Sequence, residues 1–335
     1  RFRVRRLSFW VMIALATACL AMAAVPNWIA LIFVIYALRL TGQGMMSQLG
    51  AVAMVRWFEA ARGKALSLSS LGFAAGQAIL PVVFVALFAS FHWRSLWLLA
   101  AGLVLLTMPV MLMLLRHERT PQSMAQTTQL AGMEGHHWTR KQMIRHGLFW
   151  LMIPMIIGPA AWGTALFFQQ VHLTQVKGWS LVSFVALMPL YTVTSVISTF
   201  VSGWAVDRFG VTRVTPVQML PFAASFTVLA YADTIPMAGV GLLIFGVGQG
   251  MQATATSVFW AEFYGTRYIG SIKAVAAALM VFGSAIGPGI TGVFIDLGVN
   301  FPEQMIPIAV YYVIAAIMAT TGIIKYQGRL VPRQR

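Results

Sequence analysis

The sequence predicts an all-α membrane protein built from two pseudo-symmetric helical bundles. Composition comes first. Of 335 residues, 59% are hydrophobic and only 9% charged, where a soluble domain carries about 25% charged residues. Such a chain cannot cover a water-facing surface. The second observation is length. The apolar runs reach about 20 residues or more, enough to cross a bilayer as helices. Lipid leaves backbone polar groups unsatisfied, so spans are helices or closed barrels, and the short alternation of barrel strands is missing from these runs. The third is an internal repeat. Arg1-Phe2-Arg3-Val4-Arg5-Arg6 returns as Arg208-Phe209-Gly210-Val211-Thr212-Arg213, Gly42-Gln43-Gly44-Met45 as Gly248-Gln249-Gly250-Met251, and Gly76-Gln77-Ala78-Ile79-Leu80-Pro81 as Gly283-Ser284-Ala285-Ile286-Gly287-Pro288. The shifts are 207, 206 and 207, so single-residue differences fall between the anchors. A duplicated helical bundle is a transporter architecture.

Ten apolar segments follow along the chain, at 7–24, 28–55, 65–89, 95–115, 147–172, 180–206, 213–232, 236–261, 270–296 and 303–326. Their connections carry charge unequally. Alternate connections (1–6, 56–64, 116–146, 207–213, 262–273 and 325–335) hold 20 of the 23 Lys and Arg residues; the opposite set holds only Arg94 and Lys177. Positive loops mark the cytoplasmic side, so both ends of the chain are expected there. The formal charge of +15 therefore reflects membrane topology, and nucleic acid is not an expected partner. The organisation expected is a remainder of an N-terminal bundle at 1–115, a cytoplasmic linker at 116–146, read as solvated, and a C-terminal six-helix bundle at 147–335. About 60 residues of the second half precede Asp207 and have no counterpart ahead of Arg1. The expectation is two further helices and an Asp upstream, making ten of twelve helices present.

In the segment 28–55, Tyr36, Arg39, Gln43 and Ser47 stand at spacings 3, 4 and 4, on one face of a helix. Arg39 lies about midway along the span. A guanidinium there is costly and normally faces a cavity on a transport pathway; the alternative is a structural partner for a carboxylate elsewhere. The repeat places Phe245 opposite Arg39. All eight acids lie near span ends or in loops. One Arg without a mid-span acid favours an anion, and its planar fork suits a carboxylate. Further polar stripes run along other spans: Trp162, Gln169 and His172 in 147–172; Tyr191, Ser195, Ser198 and Ser202 in 180–206; Gln249, Gln252 and Thr256 in 236–261. They line a pathway or bond one helix to another, as membrane polar residues commonly do. Cys19 has no disulfide partner, His136-His137 lacks the further ligands of a metal site, and no catalytic cluster is legible, so neither enzyme nor cofactor is expected.

The run Gly203-x-x-x-Asp207-Arg208-x-Gly210-x-x-Arg213 carries mechanism. Gly203 permits close helix approach. Asp207 can accept hydrogen bonds at a helix N-terminus and pair with a neighbouring Arg. That would hold a cytoplasmic gate shut. The run resembles the loop signature G-x-x-x-D-R-x-G-x-x-R of the major facilitator superfamily. Arg39-x-x-x-Gln43-Gly44 resembles that superfamily's R-x-x-x-G-x-G motif, with the glycines shifted. Arg56-Trp57-Phe58-Glu59-Ala60-Ala61-Arg62-Gly63-Lys64-Ala65, followed by Gly72-x-x-x-Gly76 and Pro81, resembles the monocarboxylate and oxalate/formate branch, although Ala61 replaces an Arg and that branch's usual charged pair is missing. Gly283-x-x-x-Gly287-Pro288-x-x-x-Gly292 resembles an antiporter glycine motif and is first a packing and bending signal.

The resemblance implies two six-helix bundles, alternating access, and secondary transport of a small organic anion such as a carboxylate, with a proton as candidate coupling ion. It implies a multi-pass monomer in the cell's inner (plasma) membrane, with the lipid bilayer and a small-molecule substrate as its partners. Arg39, Tyr36, Gln43, Trp162, Gln169, Tyr191, Ser195, Gln249 and Gln252 become the expected substrate contacts. Gly203, Asp207, Arg208, Gly210 and Arg213 become the expected gate. The alternatives are export of a drug or other hydrophobic or cationic solute, and a non-transporting membrane sensor.

Overall fold

A computed structural model describes residues 4–46, 49–50, 62–115 and 131–330. The chain separates into two compact units, Arg1–Ala125 and Gln126–Arg335. Helices account for the described elements of both, and among the described residues nine are long and apolar enough to cross a membrane. Gly72–Phe88 is a shorter apolar stretch inside a tenth helix. Each of these ten helices falls on one of the ten segments read from hydropathy.

The first unit contains α1 (Val4–Ala23), α2 (Trp28–Leu38), α3 (Arg62–Phe88) and α4 (Trp93–Leu114). Asn27 starts α2: its side chain accepts a hydrogen bond from the Ala30 amide at 2.9 Å, satisfying one of the orphan donors of a helix start. From Arg39 to Met46 the chain continues as a π-helix. α1 packs along α4 and against α2 and the π stretch. Val11, Leu49 and Leu115 form a small core there, covered by Leu7, Met45, Met46 and Met111.

The second unit opens with residues 131–139 and the short α5 (Arg140–Arg145). It continues through α6 (Gly147–Phe168), α7 (Gln170–Lys177), α8 (Leu181–Val185), α9 (Met188–Phe209), α10 (Val211–Val217), α11 (Met219–Tyr231), α12 (Ile235–Tyr264), α13 (Ile269–Asp296) and α14 (Phe301–Gln327). Three seams hold it: α9 on α12, α6 on α13, and α11 on α14. The α11–α14 pairing is the repeat equivalent of α1 on α4, so the duplication extends to tertiary packing.

Without a hydrophobic drive between helices in lipid, close packing must come from small residues. A Cβ added to Gly246 would stand 2.6 Å from the Tyr191 carbonyl oxygen, and one on Gly250 would collide with the Ser195 carbonyl oxygen. Along the α6–α13 seam a Cβ on Gly283 would meet Ile157 at 3.1 Å, and one on Gly287 would collide with the Ala161 carbonyl. The glycine motif of α13 is thus a packing device here, followed directly by Pro288 within the helix.

The linker differs from the expected solvated loop over its second part. Met133 and Met143 are fully buried. The Trp138 amide donates to the Tyr264 carbonyl (3.1 Å) and the Glu134 amide to the Arg329 carbonyl (2.8 Å). Glu134 and Arg329 also form an ion pair at 3.0 Å. Thr139 and Gln142 complete a reciprocal cap at the start of α5, which satisfies two helix-start donors at once. Two buried methionines and a half-buried tryptophan thus join these bonds in holding the stretch on the ends of α12 and α14.

Candidate functional site

Arg39 stands where α2 turns into the π-helix, and it is half-buried. Tyr36, one turn earlier, is exposed. The expected face continues differently from a plain α-helix, because bonding from i to i+5 brings Gly44 over Arg39: a Cβ there would lie 3.6 Å from the Arg39 carbonyl oxygen. Gln43 lies within this stretch. Ser47 lies outside the described residues, as do most of the Arg56–Ala65 run and its Glu59. Among the described residues no acid occupies the middle of a span; Asp207, Glu262, Asp296 and Glu303 all stand near helix ends. π turns inside α-helices recur at functional sites.

The second unit brings its polar residues together in another way. Ser198 donates to the Val247 carbonyl (2.8 Å), Ser202 to the Met251 carbonyl (3.4 Å), and Thr254 to the Thr199 carbonyl (3.2 Å). These rungs join α9 to α12, so this part of the stripe bonds helix to helix. Ser195 and Gln249 are half-buried beside the seam, and Gln252 is buried. Tyr191 is buried against Phe167 and Phe245, with ring centroids 5.6 and 5.7 Å away. Phe245 also meets Phe222 at 5.2 Å and Phe226 at 6.2 Å. Gln169 caps the end of α6 and donates to the Thr291 hydroxyl (3.2 Å) on α13. Trp162 packs edge-on against Tyr311 at 5.6 Å, its indole N–H buried and without a partner among the described residues. His172 is half-buried on α7.

The signature run forms the end of α9 and the start of α10. Gly210 has φ +84° and terminates α9; that conformation disfavours any residue with a Cβ. Asp207, Arg208 and Arg213 are exposed. Within this unit, among the described residues, Asp207 forms no ion pair. Gly203 faces Thr254, whose methyl group would lie 4.0 Å from an added Cβ.

Two arrangements were not legible beforehand. Lys273 on α13 donates to the Ser257 hydroxyl on α12 at 2.6 Å. Its only sequence signal is a Lys shortly after a span begins. His146 sits in a box of Trp138, Tyr326 and Tyr264, at ring distances of 4.8, 4.4 and 6.1 Å. Burial holds its ring below the usual imidazole range; the Arg329 guanidinium lowers it further and Glu134 opposes. No signal short of tertiary structure joins those residues. Among the described residues no cluster of three or more His, Cys, Asp or Glu can hold a metal.

Among curated protein sequences none matches this chain. Solved structures do. A bacterial homologue of the human lysosomal transporter Spinster, in an inward-facing unoccupied conformation, superposes with a TM-score of 0.73 at 14% identity, over 99% of this chain and 85% of its own. The Escherichia coli fucose:proton symporter FucP gives 0.60 at 14% identity, over 95% and 83%. The human organic anion transporter TETRAN gives 0.59 at 15% identity, over 97% and 76%. At such identities the likeness is one of fold. The sequence description of the Major Facilitator Superfamily matches residues 1–288 and again 186–334, so the repeat, the membrane helices and the signature at Gly203–Arg213 converge: the chain belongs to the major facilitator superfamily.

Proposed function

We propose that this multi-pass membrane transporter carries a small organic anion, with a carboxylate as its recognised group, by alternating access with a proton as candidate coupling ion. The observation that carries the reading is Arg39, half-buried at a helix discontinuity within an apolar span. A guanidinium fork recognises a carboxylate through two parallel hydrogen bonds. Tyr36, Gln43, Trp162, Gln169, Tyr191, Ser195, Gln249 and Gln252 are the proposed further contacts. The bundle remainder at 1–115 and the bundle at 147–335 rock about that site, with 116–146 as the connection. Gly203, Asp207, Arg208, Gly210 and Arg213 form the cytoplasmic gate. The charge asymmetry supports cytoplasmic chain ends in a cell's inner membrane, and one copy suffices for the cycle.

Reconstituted protein should take up at least one radiolabelled carboxylate from a panel of acetate, lactate, oxalate and succinate, and should not take up ethidium. Transport of ethidium alone would favour the hydrophobic-cation exporter and end the anion reading.

A further inference from the structure

We propose that the π-helical stretch Arg39–Met46 is a one-residue insertion relative to the second half, that it positions Arg39 for the anion, and that Thr41 locks it. This rests on the anion reading above.

The two copies of the helix begin in the same register. Asn27 and Thr234 are the N-cap residues, and Trp28 and Ile235 open the helices; each pair stands 207 apart. By the glycine pairs Gly42/Gly248 and Gly44/Gly250 the separation is 206. The first copy therefore holds one residue more between Trp28 and Gly42. α12 runs as unbroken α-helix through the corresponding stretch, whereas the first copy turns π at Arg39.

A residue added to a plain α-helix rotates everything beyond it by about 100° and advances it by about 1.5 Å. A π turn takes up the extra residue locally, by closing hydrogen bonds from i to i+5. Both sides of the insertion are anchored. Asn27 fixes the start of α2. Met45 and Met46 pack on the core of Val11, Leu49 and Leu115, and a Cβ on Gly42 would lie 3.5 Å from Leu15. With both ends held, the extra residue is confined to the turn that bears Arg39. Thr41 is buried, and its hydroxyl donates to the Ala37 carbonyl at 2.7 Å. It ties the π stretch to the last α-helical turn. Thr41 is a positioning residue: it acts through Arg39.

The test uses the full chain in proteoliposomes, with the same four carboxylates as probes. Deleting Leu40, an exposed side chain, removes the extra residue and restores the register of the second half. It should raise KM at least tenfold. Thr41→Val keeps the volume and loses the hydroxyl; it should raise KM roughly fivefold with kcat retained, as expected for one lost intramolecular hydrogen bond. Thr41→Ser should restore the original KM, which a volume effect alone would not produce. If the deletion variant does not insert, the Thr41 pair decides. Unchanged KM in Thr41→Val, or in a folded Leu40 deletion, overturns the positioning role while loss of binding in Arg39→Gln leaves the anion reading standing. Unchanged KM in Arg39→Gln overturns both.

Discussion

The stretch Trp28–Met46 and helix α12 are two copies of one ancestral helix, yet they solve different problems. α12 is a 30-residue α-helix. Its glycines let it lie against α9, and three hydroxyl-to-carbonyl bonds tie the two together. At Phe245 it carries a phenyl ring surrounded by four other aromatic rings. The first copy has Arg39 at that level, on a π turn. Duplication thus preserved element order and pairwise packing, while polarity separated. One copy became a packing seam; the other carries a cation.

The largest expected effect breaks the seam. Gly250→Ala places a methyl group into the Ser195 carbonyl and the backbone around Ser198 and Thr199. Backbone cannot rotate away as a flexible side chain does, and overpacking costs about 1–3 kcal/mol or more. Folded protein recovered in detergent should fall severalfold, while Gly270→Ala, with open space around it, should match the wild type. Equal yields would show that α9 and α12 separate freely.

Arg39 comes next. Removing one partner of a buried charge pair costs roughly 3–5 kcal/mol, so Arg39→Gln should weaken carboxylate binding by at least tenfold. Arg39→Lys keeps the charge without the fork and should fall between the two. Equilibrium binding of the labelled carboxylates in detergent reads this directly. A Lys variant indistinguishable from wild type would leave Arg39 as a point charge with no bidentate role.

A smaller effect is expected at the signature loop. Asp207→Asn should slow turnover severalfold with little change in carboxylate affinity, because a gate residue shifts the balance between conformations and does not touch the substrate. Measuring binding and transport on the same preparation separates the two. A matching loss in both would place Asp207 at the substrate.

The smallest concerns the cap at 131–146, which the second unit carries on its helix ends. The His146 ring is held below its ordinary value, so the docked state binds fewer protons than the undocked state. Docking is therefore fully favourable above about pH 6.5 and weakens as pH falls from there toward the lowered value. Hydrogen exchange at 131–146, corrected for intrinsic rates, should rise a few-fold between about pH 7.5 and 5.5, and His146→Phe should abolish that dependence. A pH-insensitive cap in the wild type would remove His146 from the account.

The apolar segments were legible because hydropathy reports the solvent, and lipid permits only self-satisfied backbone. Among the described residues, all ten carry helix. The Gly203–Arg213 signature was legible for a related reason: the +84° φ of Gly210 is a backbone demand that few residues meet. The polar stripe on α9 was ambiguous. A serine along a membrane helix satisfies its hydroxyl either toward a pathway or on the next helix, and the spacing is the same for both. Only the approach of α12 decided it for Ser198 and Ser202. Arg39 could be flagged from its position, but its helix type could not, since one inserted residue changes the hydrogen-bonding pattern without changing hydrophobicity.

The sequence by itself therefore determined the solvent, the number and order of helices, the duplication and the superfamily, because each is written in composition or in local period. The tertiary structure decided which glycines separate backbones, which hydroxyls bridge helices, and that Met133, Trp138 and Met143 fold the end of the linker onto α12 and α14. Those outcomes depend on which helix lies opposite, and residues far apart in sequence meet there only once the whole bundle has packed.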